Sequence, residues 1–305
     1  MIGGVDIGGT KIAVGMVDEW GRVLTIQESP TEAEKGLEYG LDKIVQMIRQ
    51  TASQAGGILE GIGIGCTGPV FPELGTIGRN EFLPGWEGVN LVHEFSLAFN
   101  IPIAIENDAN AAALGEWAWG TGRGTGSFIL VTVGTGIGAG LVLNGRLYRG
   151  VGGSHSEIGH HVINPDGPAC FCGARGCWES MASGSALERW AQAQHPHKLY
   201  KTAWELCDAA SGGDPYALTA VRRTARYLAI GLANLVTIFS PETIALCGGL
   251  LQSWHLFWPE VQETVRANCK LVPNERVKVV RAALDPYTGL IGAARVWFYH
   301  YSSAS

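Results

Sequence analysis

The chain has 305 residues, of which 46% are hydrophobic and 16% are charged, and its formal net charge is −6. This length and apolar content allow a large buried core and two domains. The mild acidity and the lack of a lysine- or arginine-rich block argue against a nucleic-acid-binding surface. No apolar stretch is long enough to span a membrane, and Asp6 and Lys11 interrupt the apolar start of a signal peptide. We therefore expect a cytoplasmic protein without a nucleic-acid or membrane partner.

The first half of the chain predicts a sheet with helices around it. Residues 2–27 are predicted as a β-meander, and a helix follows because apolar residues recur at helical spacing: Leu37, Leu41, Ile44, Val45 and Ile48. A strand at 61–66 runs into Thr67-Gly68-Pro69, and a Gly/Pro-rich loop covers 72–90. An amphipathic helix then leads to a strand at 101–105, and an alanine-rich helix covers 108–117.

The second half predicts a further α/β arrangement. A Gly/Thr-rich hinge at 120–126 precedes a strand at 128–133, a glycine turn at 134–138 and a strand at 139–143. The remaining predicted elements are helices near 185–194, 200–211 and 215–239, a strand at 243–247 and a last helix at 288–299.

One short region concentrates metal-binding residue types. It reads Glu157-Ile-Gly-His160, followed by Cys170-x-Cys172-Gly-x-x-Gly-Cys177-x-Glu179. His160 and the three cysteines supply four N/S ligands, which is the set of a closed, structural zinc site. The alternative is scattered buried thiols with ordinary turn glycines. A closed site leaves no position for water, so it would hold the two glutamates rigidly near a polar ligand. The other cysteines, Cys66, Cys207, Cys247 and Cys269, are expected to be buried free thiols.

Two glycine turns are candidates for binding phosphate. The first is Val5-Asp6-Ile7-Gly8-Gly9-Thr10-Lys11, and the second is Gly134-Thr135-Gly136-Ile137-Gly138. Backbone N–H groups exposed at such turns suit phosphate oxygens. Neither turn has the spacing and following helix of a Walker A loop or a dinucleotide fingerprint. A single Gly-Gly hairpin is a weak signal, but two strand–turn–strand units suggest two phosphate-binding hairpins.

These motifs, together with Glu106-Asn-Asp-Ala-Asn110, resemble the ROK family (repressors, open reading frames, kinases) in residue type and order over nearly the whole chain. The resemblance implies an α/β, two-lobed actin-like or hexokinase-type ATPase fold with a cleft between the lobes. The expected lobes are 1–118, with a carboxy-terminal helix at about 288–305 packing back on it, and 119–287, which carries the zinc motif.

Asp108 is the expected catalytic base. A carboxylate at the end of a strand, beside a helix start, lies where a cleft is expected, although helix capping is also common for Asp. The resemblance favours the base that faces the acceptor hydroxyl, with Asn107 holding neighbouring hydroxyls. It also implies sugar contacts from Gly68, Glu157, His160 and Glu179. His160 would bind zinc through one ring nitrogen and a hydroxyl through the other.

The resemblance also implies an ATP and Mg²⁺ site. Asp6 would orient the magnesium ion and its waters, and the two turns would cradle the phosphates through Gly8, Gly9, Thr10, Gly134, Thr135, Gly136 and Gly138. Lys11 is either a phosphate ligand or a surface lysine. Gly248 and Gly249 would approach adenosine.

The implied activity is phosphorylation of a hexose at its 6-hydroxyl by ATP. Glucose is favoured because Thr67-Gly68-Pro69 and Leu83-Pro-Gly-Trp86 are similar to glucokinase-like members. An N-acetylmannosamine or N-acetylglucosamine kinase is the alternative. His155 stands where small residues are expected, and it is either a surface residue or a contact to the 2-substituent. A pocket separates a 2-hydroxyl from a 2-acetamido group by few contacts, so the sugar stays open.

Two remote alternatives belong to other classes. A sugar-sensing repressor is not expected, because the phosphate motif begins at Asp6 and such repressors carry a helix-turn-helix domain ahead of it. A catalytically silent sugar binder is disfavoured by the intact Asp6, Asp108 and glycine turns. The resemblance also implies a homodimer or a higher homo-oligomer.

Overall fold

The strands form two five-stranded sheets and one small hairpin. The structure, a computed structural model, describes residues 1–194 and 200–302. Its strands are β1 (Ile2–Ile7), β2 (Lys11–Val17), β3 (Val23–Pro30), β4 (Gly61–Cys66), β5 (Val70–Phe71), β6 (Thr76–Ile77), β7 (Ile103–Asn107), β8 (Phe128–Val133), β9 (Ile137–Leu143), β10 (Arg146–Leu147), β11 (Thr243–Cys247) and β12 (Lys278–Arg281).

The helices come mostly in the second half of the chain. They are α1 (Leu37–Ala55), α2 (Leu91–Phe99), α3 (Asp108–Trp119), α4 (Trp178–Ala182), α5 (Gly184–Gln194), α6 (Ala203–Ser211), α7 (Pro215–Phe239), α8 (Trp254–Asn268) and α9 (Thr288–Tyr301). No helix among the described residues combines the length and the apolar character needed to cross a membrane.

The first sheet has the order β3-β2-β1-β4-β7. The β-meander β1-β2-β3 is antiparallel, as the sequence predicts, and β4 and β7 continue the sheet in parallel with β1. Helix α9 packs closely on this sheet because β4 is rich in glycine. A Cβ at Gly63 would lie 1.9 Å from the carbonyl oxygen of Ala293.

The second sheet has the order β10-β9-β8-β11-β12. Strands β8 and β11 are almost entirely buried, which agrees with their continuous apolar sequence. Helix α7 starts with a favourable cap, because the side chain of Asp214 accepts a hydrogen bond from the backbone of Ala217 and Pro215 occupies the first turn. A Cβ at Gly231 of this helix would lie 2.0 Å from the Trp178 ring, so the helix approaches α4 closely.

Contacts within the chain define two compact units. The first comprises residues 1–130, 140–156 and 282–305, and the second comprises 131–139 and 157–281. The first sheet lies in the first unit, together with α1, α2, α3 and α9. The lobe boundary predicted after residue 118 stays a prediction.

Most predicted elements are present, with shifted ends. The second glycine turn is shorter than predicted, since β9 begins at Ile137, and the helix predicted at 200–211 begins at Ala203. Helices α4 and α8, strand β12 and the two-residue strands β5, β6 and β10 were not predicted. The four cysteines outside the metal motif are buried and form no disulfide, as expected.

Candidate active site

Parallel strands bring the first group of predicted site residues to one edge of the first sheet. In the register of β1, β4 and β7, Asp6 lies beside Gly65 and Gly65 lies beside Glu106. The residues that follow β4 and β7 therefore leave the sheet at the same edge, and these include Gly68 and Asp108. This is the edge at which parallel α/β sheets bind ligands.

The structure assigns the cap of α3 to Asn107. Its Oδ1 accepts hydrogen bonds from the backbone nitrogens of Ala109 (3.1 Å) and Asn110 (3.2 Å). Its Nδ2 donates to the Gly68 carbonyl oxygen (3.2 Å) and to Asp108 Oδ1 (3.0 Å). The Ala109 N–H also donates to Asp108 Oδ1 (2.8 Å). Asn107 thus orients Asp108 and Gly68, and its contact with sugar hydroxyls stays a prediction.

Asp6 and Asp108 lie close enough to influence each other electrostatically. The pKa of Asp6 is raised from 3.8 to about 7 by burial and, to a smaller extent, by the Asp108 charge, whereas the Lys11 charge lowers it. Burial also raises the pKa of the Cys66 thiol, with smaller contributions from the same two carboxylates. The first turn of α9 covers Asp6, because a Cβ at Gly289 would lie 2.3 Å from Asp6 Oδ2. A divalent cation at this position would favour the ionised form of both carboxylates.

The first glycine turn is held by hydrogen bonds to its own backbone. The Gly8 N–H donates to the Lys11 carbonyl (2.9 Å), and the Gly8 carbonyl accepts from the Thr31 hydroxyl (2.7 Å). The Lys11 ammonium pairs with Glu28 at 2.7 Å, and both side chains are about half exposed. Lys11 is therefore at the surface, which was one of its two predicted roles. Its contact with phosphate stays a prediction.

Asn80 and Phe82, two residues of the 72–90 loop for which the sequence predicted no role, lie beside two predicted site residues. Asn80 Nδ2 donates to the Thr67 carbonyl (2.6 Å), and a Cβ at Gly68 would lie 2.4 Å from that nitrogen. Asn80 Oδ1 accepts from the Phe82 N–H (2.8 Å), and a Cβ at Gly9 would lie 2.7 Å from Phe82 Cβ. The loop therefore supports Gly68 and the first glycine turn. A Gly/Pro-rich composition alone gave no signal for these contacts.

The second unit contains the predicted metal cluster. The ligand atoms of His160, Cys170, Cys172 and Cys177 all lie within 4.8 Å of one another. Cys172 Sγ is 3.5 Å from Cys177 Sγ, and Cys170 Sγ is 3.4 Å from His160 Nδ1. Ligands bound to zinc at about 2.3 Å in a tetrahedron are separated by about 3.8 Å. These four residues therefore fit a tetrahedral zinc ion.

The cysteine loop needs its two glycines. Gly173 and Gly176 have φ angles of +95° and +67°, a region that side chains disfavour. A Cβ at Gly176 would also lie 1.5 Å from the Asn164 carbonyl oxygen. The predicted function of these glycines, to turn a short loop around an ion, agrees with this geometry.

Crowding of the sulfurs separates their pKa values. A backbone hydrogen bond from Ala174 lowers the pKa of the Cys172 thiol, whereas burial raises the pKa of Cys177 to about 12. The neighbouring sulfurs add to both shifts. Without a cation, a thiolate at one position therefore disfavours a thiolate at the next. A divalent cation removes this conflict.

His160 faces the cluster with one nitrogen and Glu157 with the other. Its Nδ1 lies 3.4 Å from Cys170 Sγ, and its Nε2 lies 4.0 Å from a carboxylate oxygen of Glu157. The Glu157 side chain is 65% exposed, so it is accessible to a ligand. His161 is partly buried, and its Nε2 lies 3.3 Å from Asn234 Nδ2.

Glu179 connects the cysteine loop with the second glycine turn. Its Oε2 accepts a hydrogen bond from the Ile137 N–H (2.9 Å), and a Cβ at Gly136 would lie 2.4 Å from the same oxygen. The Gly134 N–H donates to the Gly136 carbonyl (3.0 Å), which closes the turn. Glu179, predicted to bind sugar, is therefore in direct contact with the turn predicted to bind phosphate. Thr135 lies in the middle of this turn.

The remaining predicted nucleotide residues lie near the ends of β8 and β11, which are neighbours in the sheet. The Gly138 N–H donates to the Thr132 hydroxyl (3.2 Å). Gly248 has a φ of +111°, and a Cβ there would lie 2.4 Å from the Val133 carbonyl oxygen, so only glycine fits. Gly249 has open space around it, which leaves room for a ligand.

Comparison with known proteins identifies the family. A model of the ROK family matches residues 2–299. The chain belongs to the ROK family. A glucokinase from Thermotoga maritima is 34% identical over 305 residues, which is 96% of each chain. The crystal structure of a ROK hexokinase from Thermus thermophilus is 38% identical over 97% of each chain, with a TM-score of 0.84.

A second solved structure is similar over the same length. It is a ROK family glucokinase from Streptomyces griseus in complex with glucose and AMPPNP, 34% identical over 96% of this chain and 97% of its own, with a TM-score of 0.83. The α/β, actin-like fold predicted from the sequence motifs is therefore confirmed.

The raised pKa of Asp6 predicts a pH dependence of stability in magnesium-free buffer. Between pH of about 4 and 7 the unfolded chain ionises Asp6 while the folded protein keeps it protonated. The unfolded state then binds fewer protons, so this residue lowers stability as pH rises. The Tm of the wild type relative to Asp6→Asn should fall over this interval and level off above a pH of about 8.

Asp108→Asn is the control, because removing the neighbouring charge should shift the fall to lower pH. Parallel Tm profiles for the wild type and Asp6→Asn would contradict the assignment.

Proposed function

We propose that the protein is an ATP-dependent hexose kinase that phosphorylates the 6-hydroxyl of its sugar, with glucose as the favoured substrate. The observation that carries this proposal is the position of the Asp108 carboxylate. It lies at the edge where the parallel strands β1, β4 and β7 end, near Asp6, and is oriented by Asn107. The similarity to glucokinases over the whole chain supports the choice of reaction and sugar.

Asp108 accepts the proton of the attacking hydroxyl. Phosphoryl transfer through a loose transition state places charge on the attacking oxygen late, so a carboxylate of ordinary basicity is sufficient. The two hydrogen bonds that Asp108 Oδ1 accepts, from Asn107 Nδ2 and the Ala109 N–H, hold the carboxylate in one orientation. This positioning reduces the motion that must be restricted when the sugar binds.

The second unit supplies contacts to the sugar and the nucleotide. Glu157 is an exposed carboxylate that lies 4.0 Å from Nε2 of the partly buried His160, and Glu179 follows Cys177 by two residues. Each offers a hydrogen-bond partner for sugar hydroxyls. The turn at 134–136 and the loop at Gly248 and Gly249 bind the phosphates and adenosine of ATP.

Two metal ions belong to this proposal. Zinc held by His160 and the three cysteines supplies structural rigidity when bound, since four protein ligands close its coordination shell. Magnesium neutralises the ATP phosphates when bound, and Asp6 orients it. Zinc identity is supported by the N/S donor set, and the magnesium role by the paired carboxylates Asp6 and Asp108.

An N-acetylmannosamine or N-acetylglucosamine kinase is the alternative within the class, and a sugar sensor is the alternative outside it. An ADP-release assay with glucose, mannose, fructose, N-acetylglucosamine and N-acetylmannosamine separates them. We expect the highest kcat/KM with glucose. A higher value for an acetamido sugar would select the alternative kinase, and no turnover by folded, zinc-loaded protein would contradict the kinase assignment.

Asp108→Asn tests the base. We expect kcat to fall at least about a hundredfold, because the hydroxyl loses its proton acceptor. The glucose Kd from calorimetry should stay within about tenfold of the wild type, since the amide keeps the shape of the side chain. Asp208→Asn, on the exposed face of α6, is the matched control. Near-normal turnover of Asp108→Asn would rule out the base assignment.

Cys172→Ser tests the metal cluster. We expect the variant to lose its stoichiometric zinc, measured by atomic emission, and to bind glucose at least about tenfold more weakly. The reason is that His160 belongs to the cluster and faces Glu157, and Glu179 follows Cys177 by two residues. Cys207→Ala, outside the cluster, should keep both properties. If the folded, zinc-free variant binds glucose with wild-type affinity, the proposed link between the metal cluster and sugar binding is contradicted.

A further inference from the structure

A buried ion pair joins the strand that carries Asp108 to a segment 43 residues later in the chain. Glu106 is 1% exposed, and both of its carboxylate oxygens contact the Arg149 guanidinium. Its Oε1 accepts from Arg149 Nη1 at 3.1 Å, and its Oε2 accepts from Nη2. The pair is bidentate, the geometry that fixes both side chains most strongly.

Glu106, which is held by Arg149, also forms hydrogen bonds to the start of α3. Its Oε1 also accepts from the Asn107 backbone N–H (2.9 Å) and from Asn110 Nδ2 (3.1 Å). Asn107 in turn donates to Asp108 (3.0 Å). A continuous chain of hydrogen bonds therefore runs from Arg149 through Glu106 and Asn107 to the proposed base. None of these contacts requires a bound ligand.

Arg149 also begins a closed loop that leads to Glu157 in the sequence. The Gly150 N–H donates to the Ser154 carbonyl (2.8 Å), and the Gly153 N–H donates back to the Gly150 carbonyl (3.2 Å). The ion pair thus fixes the first residue of this loop against the end of β7. Moving the guanidinium would move both the Asp108 turn and the loop.

We infer that Glu106 and Arg149 are positioning residues that set the orientation of Asp108 and of the 150–154 loop together. This inference rests on the proposed function, because it explains how the base is held before the sugar binds. Neither residue touches the reacting atoms. Their effect is on the rate at which a bound sugar is phosphorylated, since a small misplacement of a catalytic group lowers kcat strongly.

Arg149→Lys tests the inference, because lysine keeps the charge but not the bidentate geometry. We expect kcat for glucose to fall about 10- to 100-fold, with the KM for ATP changed less than about threefold. Hydrogen exchange should quicken in 107–110 and in 150–154, at matched global stability. Arg146→Lys, on an exposed residue of β10, is the control and should match the wild type.

Arg149→Ala adds a second readout. Guanidinium at millimolar concentration should restore part of its kcat, whereas the same concentration of sodium chloride should not. If kcat of Arg149→Lys stays within twofold of the wild type, or if only its Tm falls, the inference is overturned. A wild type without sugar-dependent turnover would overturn the proposed function instead. If the wild type has no such turnover, unchanged hydrogen exchange in 107–110 and 150–154 of Arg149→Lys would still overturn the positioning role.

Discussion

The parallel register of β1, β4 and β7 determines where the chemistry of the first unit is found. The three strands end at one edge, so Asp6 and the residues that follow Cys66 and Asn107 are brought together although they are distant in the sequence. Hydrogen bonds from side chains then fix the orientation of these residues. Asn107 caps α3 and holds Asp108, and Glu106 holds Asn107 through its backbone. Burial of the Asp6 carboxylate, and the Asp108 charge near it, disfavour the ionised form of Asp6, which explains its raised pKa.

The second unit positions its polar residues in a different way. Its polar residues lie on or beside two segments that bring the ligand atoms of His160, Cys170, Cys172 and Cys177 within 4.8 Å of one another. Glu179 extends this control to the second glycine turn, because its carboxylate accepts a hydrogen bond from the Ile137 N–H. A metal bound there would therefore rigidify a segment that contacts, through Glu179, backbone groups suited to phosphate.

Local sequence patterns predicted the parts of the fold that depend on local physics. Continuous apolar runs gave β4 and β8 at their observed bounds, and the tight Cys/His spacing gave the cluster. Helix α8 escaped prediction in part because Pro259 lies inside it, where proline normally ends a helix. The cap of α3 was ambiguous, since Asn107 and Asp108 are both favourable capping residues. The Glu106–Arg149 pair was not predicted, because no local spacing reveals partners so far apart in the chain.

In the proposed reaction, Asp108 faces the hydroxyl that is phosphorylated. A crystal structure of the protein with glucose and a non-hydrolysable ATP analogue tests this position directly. We expect the glucose 6-oxygen within hydrogen-bond distance of the Asp108 carboxylate, about 2.6 to 3.2 Å, and on the side of the γ-phosphate. A bound glucose whose 6-oxygen lies far from Asp108 and against another acidic side chain would contradict it.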